Sequence, residues 1–504
     1  MAVRINGKGL TVRDVVSVSR DFELVELSED AVAGIEASAT LIDRLAKGKK
    51  RVYGVNTGFG AMADTIISKD KVLELQKNIV MSHSAGVGEP LPEDVVRAAM
   101  LLRANTLARG YSGVKLGTIK MLIGMLNRGI HPIIPKKGSL GASGDLAQLA
   151  HIALVMIGRG RAVYKGRILD GGDALKHAGL KPLKLGAKEG LSLVNGTQIM
   201  ASIGALELHD ANILAKTADV AAAMSLEALR GNMSPFDERV QMLRPHDGQV
   251  KCAANIRKLV DGSGLIGSKN RTQDAYSIRC IPQVNGAVKD TLDFCGGIIE
   301  TEINSVTDNP VVLAEDGEVL SCGHFHGEYL AFAMDFLAIA ISELADISER
   351  RIARLVDHKL SGLPAFLIKD AGVNSGFMIP HYTAASLVSE NKILSHPASV
   401  DSIPTSANQE DHVSMGSISA NKLMEVLFNT TNVVAIECMC AAQALDLLDV
   451  NTGSGVDAAR KAVREKVRFI KRDEEMHGNM QKCFDIVRTG AVLKSVEDTV
   501  GALE

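Results

Sequence analysis

Apolar residues along this 504-residue chain recur mostly at helical spacing. Val72, Leu75, Ile79 and Val80 fall on one helix face, and Ser84-Ala85-Gly86 breaks the pattern. A second helix is predicted over residues 93–109, closed by Gly110, and a third over 116–127, stopped by Gly129 and Pro132. A fourth opens at Asp145 as its N-cap and runs through Leu146, Leu149, Ile152 and Val155 to Gly158. Past residue 196 the helical stretches lengthen. Residues 197–229, 328–359 and 415–448 are free of proline. A helix of about 30 residues is about 45 Å long, well above the globular average. Strict heptads are absent, so the pattern predicts a buried bundle rather than an extended coiled coil.

Strand signals are sparse. Residues 162–169 read as a short hairpin, as do 311–313 and 318–320 around Asp316-Gly317. Asn6-Gly7 within residues 4–9 carries the signal of a tight hairpin, and a short helix is expected over 35–46. Tyr53-Gly54-Val55-Asn56-Thr57-Gly58-Phe59-Gly60 reads as a mobile surface loop with glycine hinges, the composition of an active-site lid. The predicted fold class is mainly α. A long-helix bundle occupies residues 196–504, and a smaller mixed lobe with a few short β-hairpins occupies 1–195.

With 46% hydrophobic residues but no tryptophan and 4% aromatics, the core must be aliphatic and methionine-rich. A formal charge of -3 gives no basic surplus for nucleic acid or an anionic membrane. Seven cysteines are scattered without a Cys-x-x-Cys pair. Together with the lack of a signal-like apolar N-terminus and of an uninterrupted apolar run of membrane-spanning length, this leads us to expect reduced thiols and a cytoplasmic protein. Gly262-Ser263-Gly264-Leu265-Ile266-Gly267 matches Gly-x-Gly-x-x-Gly but follows a helix-like run, so no dinucleotide site is expected. His324-x-His326 has no further ligands at a recognisable spacing, and no metal is expected.

The chemistry concentrates in Gly138-Ser139-Leu140-Gly141-Ala142-Ser143-Gly144-Asp145. Glycines let backbone turn sharply and approach other backbone. The segment precedes a predicted helix N-terminus, whose free N–H groups and dipole suit an anion or an oxygen gaining negative charge. It does not fit the Gly-x-Ser-x-Gly elbow of serine hydrolases, because Ser143 is followed directly by Gly144. Alone, such a segment is an ordinary turn.

Its wider setting resembles the histidine and aromatic amino-acid ammonia-lyases, motif after motif in order. The loop at 53–60 comes first, then Ser82-His83 with Ala85-Gly86-Val87-Gly88-Glu89-Pro90. After the Ala-Ser-Gly segment follow Leu193-Val194-Asn195-Gly196-Thr197-Gln198 and Gln273-Asp274-Ala275-Tyr276-Ser277-Ile278-Arg279-Cys280. Asn304-Ser305-Val306-Thr307-Asp308-Asn309-Pro310, Phe325-His326 and residues 406–415 around Glu410 complete the set.

The resemblance implies an ammonia-lyase or fumarase-aspartase-like helical fold and a prosthetic group made from the chain itself. Ala142-Ser143-Gly144 would cyclise and lose water to give 4-methylidene-imidazol-5-one (MIO), with no dissociable cofactor. Gly144 supplies an unhindered nitrogen, Ala142 the carbonyl it attacks, and Ser143 the hydroxyl that is lost. Roles carry over by position: Tyr53 as the base, with Tyr276 beside it in proton handling; Arg279 on the substrate carboxylate; Asn195 and Gln273 as polar contacts; Phe325 against the substrate ring. A guanidinium fork suits a carboxylate. A phenol is a poor base unless a neighbouring cation or dipole lowers its pKa.

His83 and Glu410 would face the substrate side chain. An imidazole and a carboxylate can each pair with a ring nitrogen, whereas a phenyl ring would leave the carboxylate buried and unpaired. The implied reaction is therefore loss of ammonia from L-histidine to give trans-urocanate, the first step of histidine degradation. A phenylalanine or tyrosine ammonia-lyase, an aminomutase, and a helical scaffold that never forms the electrophile stay open at this point. Whether the substrate's amine or its ring meets the electrophile is also open. The family's sites form between subunits of a homotetramer, which implies the same assembly here. Gln148, His324 and Tyr329 depart from the family's usual proline, asparagine and proline.

Overall fold

The computed structural model describes residues 2–504 apart from Lys49, Asn270 and Asp449. Helix dominates, and the described strands are only three or four residues long. The longest helices are Gln198–Ala228, Ile281–Glu302, Glu328–Val356 and Gly416–Asp446. Three of them lie on the long proline-free runs. Ile281–Glu302 was not anticipated; its Pro282 stands at the second helical position, where a missing N–H costs no intrahelical bond. The run predicted to 359 stops at Val356. Asp357 accepts the Lys359 N–H at 2.8 Å and starts the separate turn His358–Ser361. Gly416–Asp446 is long and apolar enough to cross a membrane by length and composition, but 78% of its apolar window is buried within the protein, as in a core helix.

The chain divides into two compact units that are discontinuous in sequence. The first comprises Met1–His209, Gly296–Asp335 and Pro397–Asn421; the second comprises Asp210–Cys295, Phe336–His396 and Lys422–Glu504. The first thus takes in the 1–195 lobe together with residues 196–209 and two later segments, a grouping that adjacency in sequence does not reveal.

Helices Val72–His83, Glu93–Ala108, Leu116–Asn127 and Leu146–Met156 frame the first unit close to their predicted bounds. The hairpins Arg161–Tyr164 with Arg167–Asp170, and Val311–Leu313 with Glu318–Leu320, form as predicted, and Ile130–Pro132 adds a third strand to the former. The N-terminal hairpin does not form. Val3–Ile5 instead pairs in parallel with Val25–Leu27. Asn6 lacks the positive φ that a two-residue hairpin needs; its Oδ1 accepts the Lys8 N–H at 3.1 Å, and the Gly7 N–H is drawn to Asn105 Oδ1 at 2.9 Å. The chain then enters helix Val12–Arg20, capped by Thr11.

The second unit has a polar centre. Arg351 donates to both oxygens of Glu437, at 2.5 and 2.7 Å, and Ser225 and Ser348 fill the remaining acceptor positions at 2.6 and 2.7 Å. A buried carboxylate with four donors is satisfied rather than stranded.

Candidate active site

Residues 138–145 form a backbone-on-backbone contact that explains their glycines. Gly141 and Gly144 have φ of +71° and +73°. A Cβ on Gly144 would lie 1.9 Å from the Gly196 carbonyl oxygen, and one on Gly141 would lie 2.2 Å from Ser414 Oγ. The Asp145 N–H donates to Gly196 O at 2.7 Å, and Ser139 Oγ closes the loop on Gly144 O at 2.8 Å. Only glycine fits such an approach.

Asp145 precedes helix Leu146–Met156 as expected, but its side chain does not cap that helix. Its Oδ2 accepts from Ile199 N and Met200 N, at 2.9 and 3.0 Å, so it caps helix Gln198–Ala228 instead. Ser417 donates to the other oxygen at 3.1 Å. Burial pushes the carboxyl up to about 7, against these three donors.

A cavity of about 880 Å³ opens over this loop, lined by Tyr53, His83, Ala142, Ser143, Asn195, Phe325 and Glu410. All belong to the first unit. Gly144 stands behind Ser143, against Gly196. Sequence positions up to 357 apart are thus brought to one wall, which supports the ordered-motif reading.

Each side chain has a local reason for its place. Tyr53 begins a loop that is anchored rather than free over its first half. Asn56 accepts the Val52 N–H at 2.8 Å and donates to Lys50 O at 2.9 Å, while Val55 is buried beside Leu41, Ile42 and Val72. Tyr53 Oη accepts the Gly60 N–H at 3.3 Å, and the Phe59 ring stands edge-on to Tyr53. His83 ends helix Val72–His83, with Ser82 Oγ 3.0 Å from its Nδ1. Burial lowers the pKa of His83, more than Ile79's backbone and Glu410 restore, so the ring is neutral at pH 7. Asn195 caps the C-terminus of helix Glu189–Val194.

Glu410 sits on a strained turn. Thr405 and Glu410 exchange backbone hydrogen bonds at 2.9 and 3.3 Å, across Ser406, Ala407 and Asn408, which have φ of 52°, 53° and 65°. Left-handed conformations at non-glycine residues cost about 1–3 kcal/mol each and persist only where the surroundings impose them. The outcome is a carboxylate aimed at Ser143. Its Oε1 accepts from Ser143 Oγ at 3.1 Å and its Oε2 from Thr405 Oγ1 at 3.0 Å.

The phenol of Tyr53 is not poised as a base by these neighbours. Burial raises its pKa, and Glu410 and Asp308 add to that against the Gly60 N–H. The lowered pKa that base chemistry needs must come from a group these residues do not supply.

Gln273, Tyr276 and Arg279 lie in the second unit and do not line this cavity. They form a cluster of their own. Arg279 Nη1 donates to Gln273 Oε1, and the guanidinium lies 4.6 Å from the centroid of the Tyr276 ring. Tyr276 is 70% exposed. The buried Asp274 and Ile278 anchor the segment, with Asp274 accepting the Asn232 N–H at 2.7 Å.

Sequence reasoning assigned no role to Asn309, His326 or His412, which also line the cavity. All three lie within the motifs quoted for the resemblance, which gave them no individual role. His326 and His412 stack at 5.8 Å, and with Glu328 their donor atoms lie within 4.8 Å of one another. Non-local partners therefore stand beside His326 where spacing indicated none, and His324 is not among them. His324 and Tyr329 are exposed and off the cavity wall. Gln148 is buried, its Nε2 3.4 Å from Lys136 O.

A sequence profile of the aromatic amino acid lyase family matches residues 10–465. The histidine ammonia-lyase of Caldanaerobacter subterraneus subsp. tengcongensis is 55% identical over 493 residues, covering 97% of each chain. Among solved structures, histidine ammonia-lyase from Trypanosoma cruzi matches with a TM-score of 0.92 at 43% identity, over 99% of this chain and 95% of that one. A tyrosine aminomutase from Streptomyces globisporus matches with a TM-score of 0.95 at 38% identity over the whole of both. With the match extending through the cavity-lining segments, the chain belongs to the aromatic amino acid lyase family.

Proposed function

We propose that the protein is a histidine ammonia-lyase, converting L-histidine to trans-urocanate and ammonia. The observation that carries this reading is the joint presence of His83, Glu410 and Ser143 on one cavity wall. Neutral His83 and the Glu410 carboxylate offer complementary partners to the two nitrogens of an imidazole. A phenyl ring would offer nothing to Glu410 Oε1, leaving the carboxylate only the Thr405 hydroxyl once Ser143 has lost its own. Full-length relatives named histidine ammonia-lyase at about half identity support the same substrate.

Ala142, Ser143 and Gly144 fit the MIO group. Gly144 has the positive φ and the crowding by Gly196 that exclude any side chain, and Ser143 presents its hydroxyl to Glu410. Once formed, that group supplies an electrophilic carbon that eases departure of ammonia. Around it, Glu410 Oε1 and His83 orient the substrate ring, Asn195 meets its polar end, and Phe325 packs on it. Tyr53 Oη takes the Cβ proton. Because Tyr53 is held high by its own neighbours, a cation from elsewhere must favour its ionised form. We assign this, and the grip on the substrate carboxylate, to Arg279 of another copy in a homotetramer, with Gln273 and Tyr276 beside it. The exposure of Gln273 and Tyr276 supports that assignment.

A substrate panel tests the proposal. The purified protein is given L-histidine, L-phenylalanine and L-tyrosine, and the products are identified. Preferential formation of trans-urocanate supports it; a cinnamate, a coumarate or a β-amino acid as main product overturns it.

A further inference from the structure

Lys188 and Asp308 form an ion pair in which both side chains are wholly buried, at 2.8 Å. Isolated pairs of this kind contribute little net stability, because desolvation offsets the attraction. This one is fully wired. Lys188 Nζ also donates to Ser112 O at 3.0 Å and to Ser192 Oγ at 2.8 Å, so its three protons are all engaged. Asp308 Oδ2 receives Lys188, and its Oδ1 receives the Asn309 N–H at 2.7 Å and Asn195 Nδ2 at 3.4 Å. Asn195 Nδ2 donates also to Asn309 O at 3.1 Å.

This wiring fixes which end of the Asn195 amide is free. Turned over, the amide would set its oxygen against the Asp308 carboxylate and the Asn309 carbonyl, bringing three acceptors together. In the observed orientation both N–H groups of Asn195 are committed, and no donor among the described residues reaches its oxygen. Asn195 lines the cavity, so Oδ1 is the atom it has to offer there. An acceptor in that position suits an N–H donor, such as the amino group of an amino acid.

We infer that Lys188 is a positioning residue: it holds Asp308, and Asp308 holds the Asn195 amide with its oxygen available to the substrate's amino group. The inference rests on reading the cavity as the reaction site. Lys188 does not line the cavity, and Asp308 is the one residue of the recognised motifs that its side chain hydrogen-bonds.

The test uses Lys188→Met, Asp308→Asn and the double variant, each made in the wild-type and Asn195→Ala backgrounds. Intact mass counts the chains that have lost two waters, melting reports folding, and kcat is expressed per dehydrated chain. The double variant removes both charges together, so no lone buried ion is left and the test stands even where Lys188→Met fails to fold. A positioning role predicts a loss in kcat of about tenfold or more in the double variant, and less than about twofold further loss when the same changes are made on Asn195→Ala. Wild-type kcat in the double variant, or an equal loss in both backgrounds, overturns the inference. The coupling is measured on whichever amino acid the wild type turns over, so failure on histidine would overturn the proposed function without touching this result.

Discussion

Ser143 donates its hydroxyl to Glu410 at 3.1 Å, although 267 residues separate them. One carboxylate therefore meets both Ser143 of the Ala-Ser-Gly segment and the cavity proposed for the substrate ring. Variants of Glu410 must be scored on two readouts, dehydration of the chain and choice of substrate.

For substrate choice, Glu410→Ala should cost about 1.5–3 kcal/mol of transition-state stabilisation for histidine, the scale of a lost hydrogen bond to a charged group. Glu410→Gln keeps the shape and drops the charge. Both should lower kcat/KM for histidine far more than for phenylalanine, because a phenyl ring offers Glu410 Oε1 no partner to lose. Equal losses on the two substrates would make Glu410 a general scaffold residue.

Ser143→Ala should fold, keep its full mass and turn over very little, since no hydroxyl is there to leave. Full turnover by chains lacking the dehydrated mass would remove the prosthetic-group reading.

Gly144 and Gly166 form a matched pair. Both have φ near +73°, but a Cβ on Gly166 would meet nothing within 4 Å, whereas one on Gly144 would meet Gly196 O at 1.9 Å. Gly166→Ala should lose about 1 kcal/mol, the conformational cost alone. Gly144→Ala should melt much lower or fail to dehydrate, as shown by calorimetry and intact mass. Similar behaviour of the two variants would deny that the Gly196 contact matters.

The sequence patterns that proved readable were the long ones. Apolar periodicity located Leu116–Asn127 and the hairpin at 311–320 at their observed bounds, because local spacing decides such elements. The Asn6-Gly7 hairpin failed because the Gly7 N–H has a distant partner in Asn105. Asp145 was read as capping its own helix, whereas its carboxylate reaches residues 199 and 200. Lys188 carried no signal at all, since its meaning lies in Asp308, 120 residues on. The cavity wall could be read through motif order; the partners that orient it could not, because they are set by tertiary contacts.

Arg279→Lys should not be conservative. Lysine brings a point charge where the carboxylate needs a planar fork, and it would also weaken the contact with Tyr276. Titration with histidine and with carboxylate-bearing inhibitors should show weaker binding. Unchanged affinity would take Arg279 out of the site.

Asp145 gives a pH signature. Its folded pKa is raised from 3.8 to about 7 by burial. A raised value means that its contribution to stability is fully present below the unfolded pKa and is lost as pH rises through the folded one. The melting temperature of wild type should therefore fall relative to Asp145→Asn between about pH 4 and pH 7, then level off. A difference that stays flat across that window would mean that the three donors keep the carboxylate ionised.

The central claim is tested most directly by incubating the purified wild-type chain with L-histidine and measuring ammonia and the organic product together. Equal amounts of ammonia and trans-urocanate, from a chain whose mass is two waters short, are the predicted result. Release of no ammonia from histidine by such a dehydrated chain would contradict it.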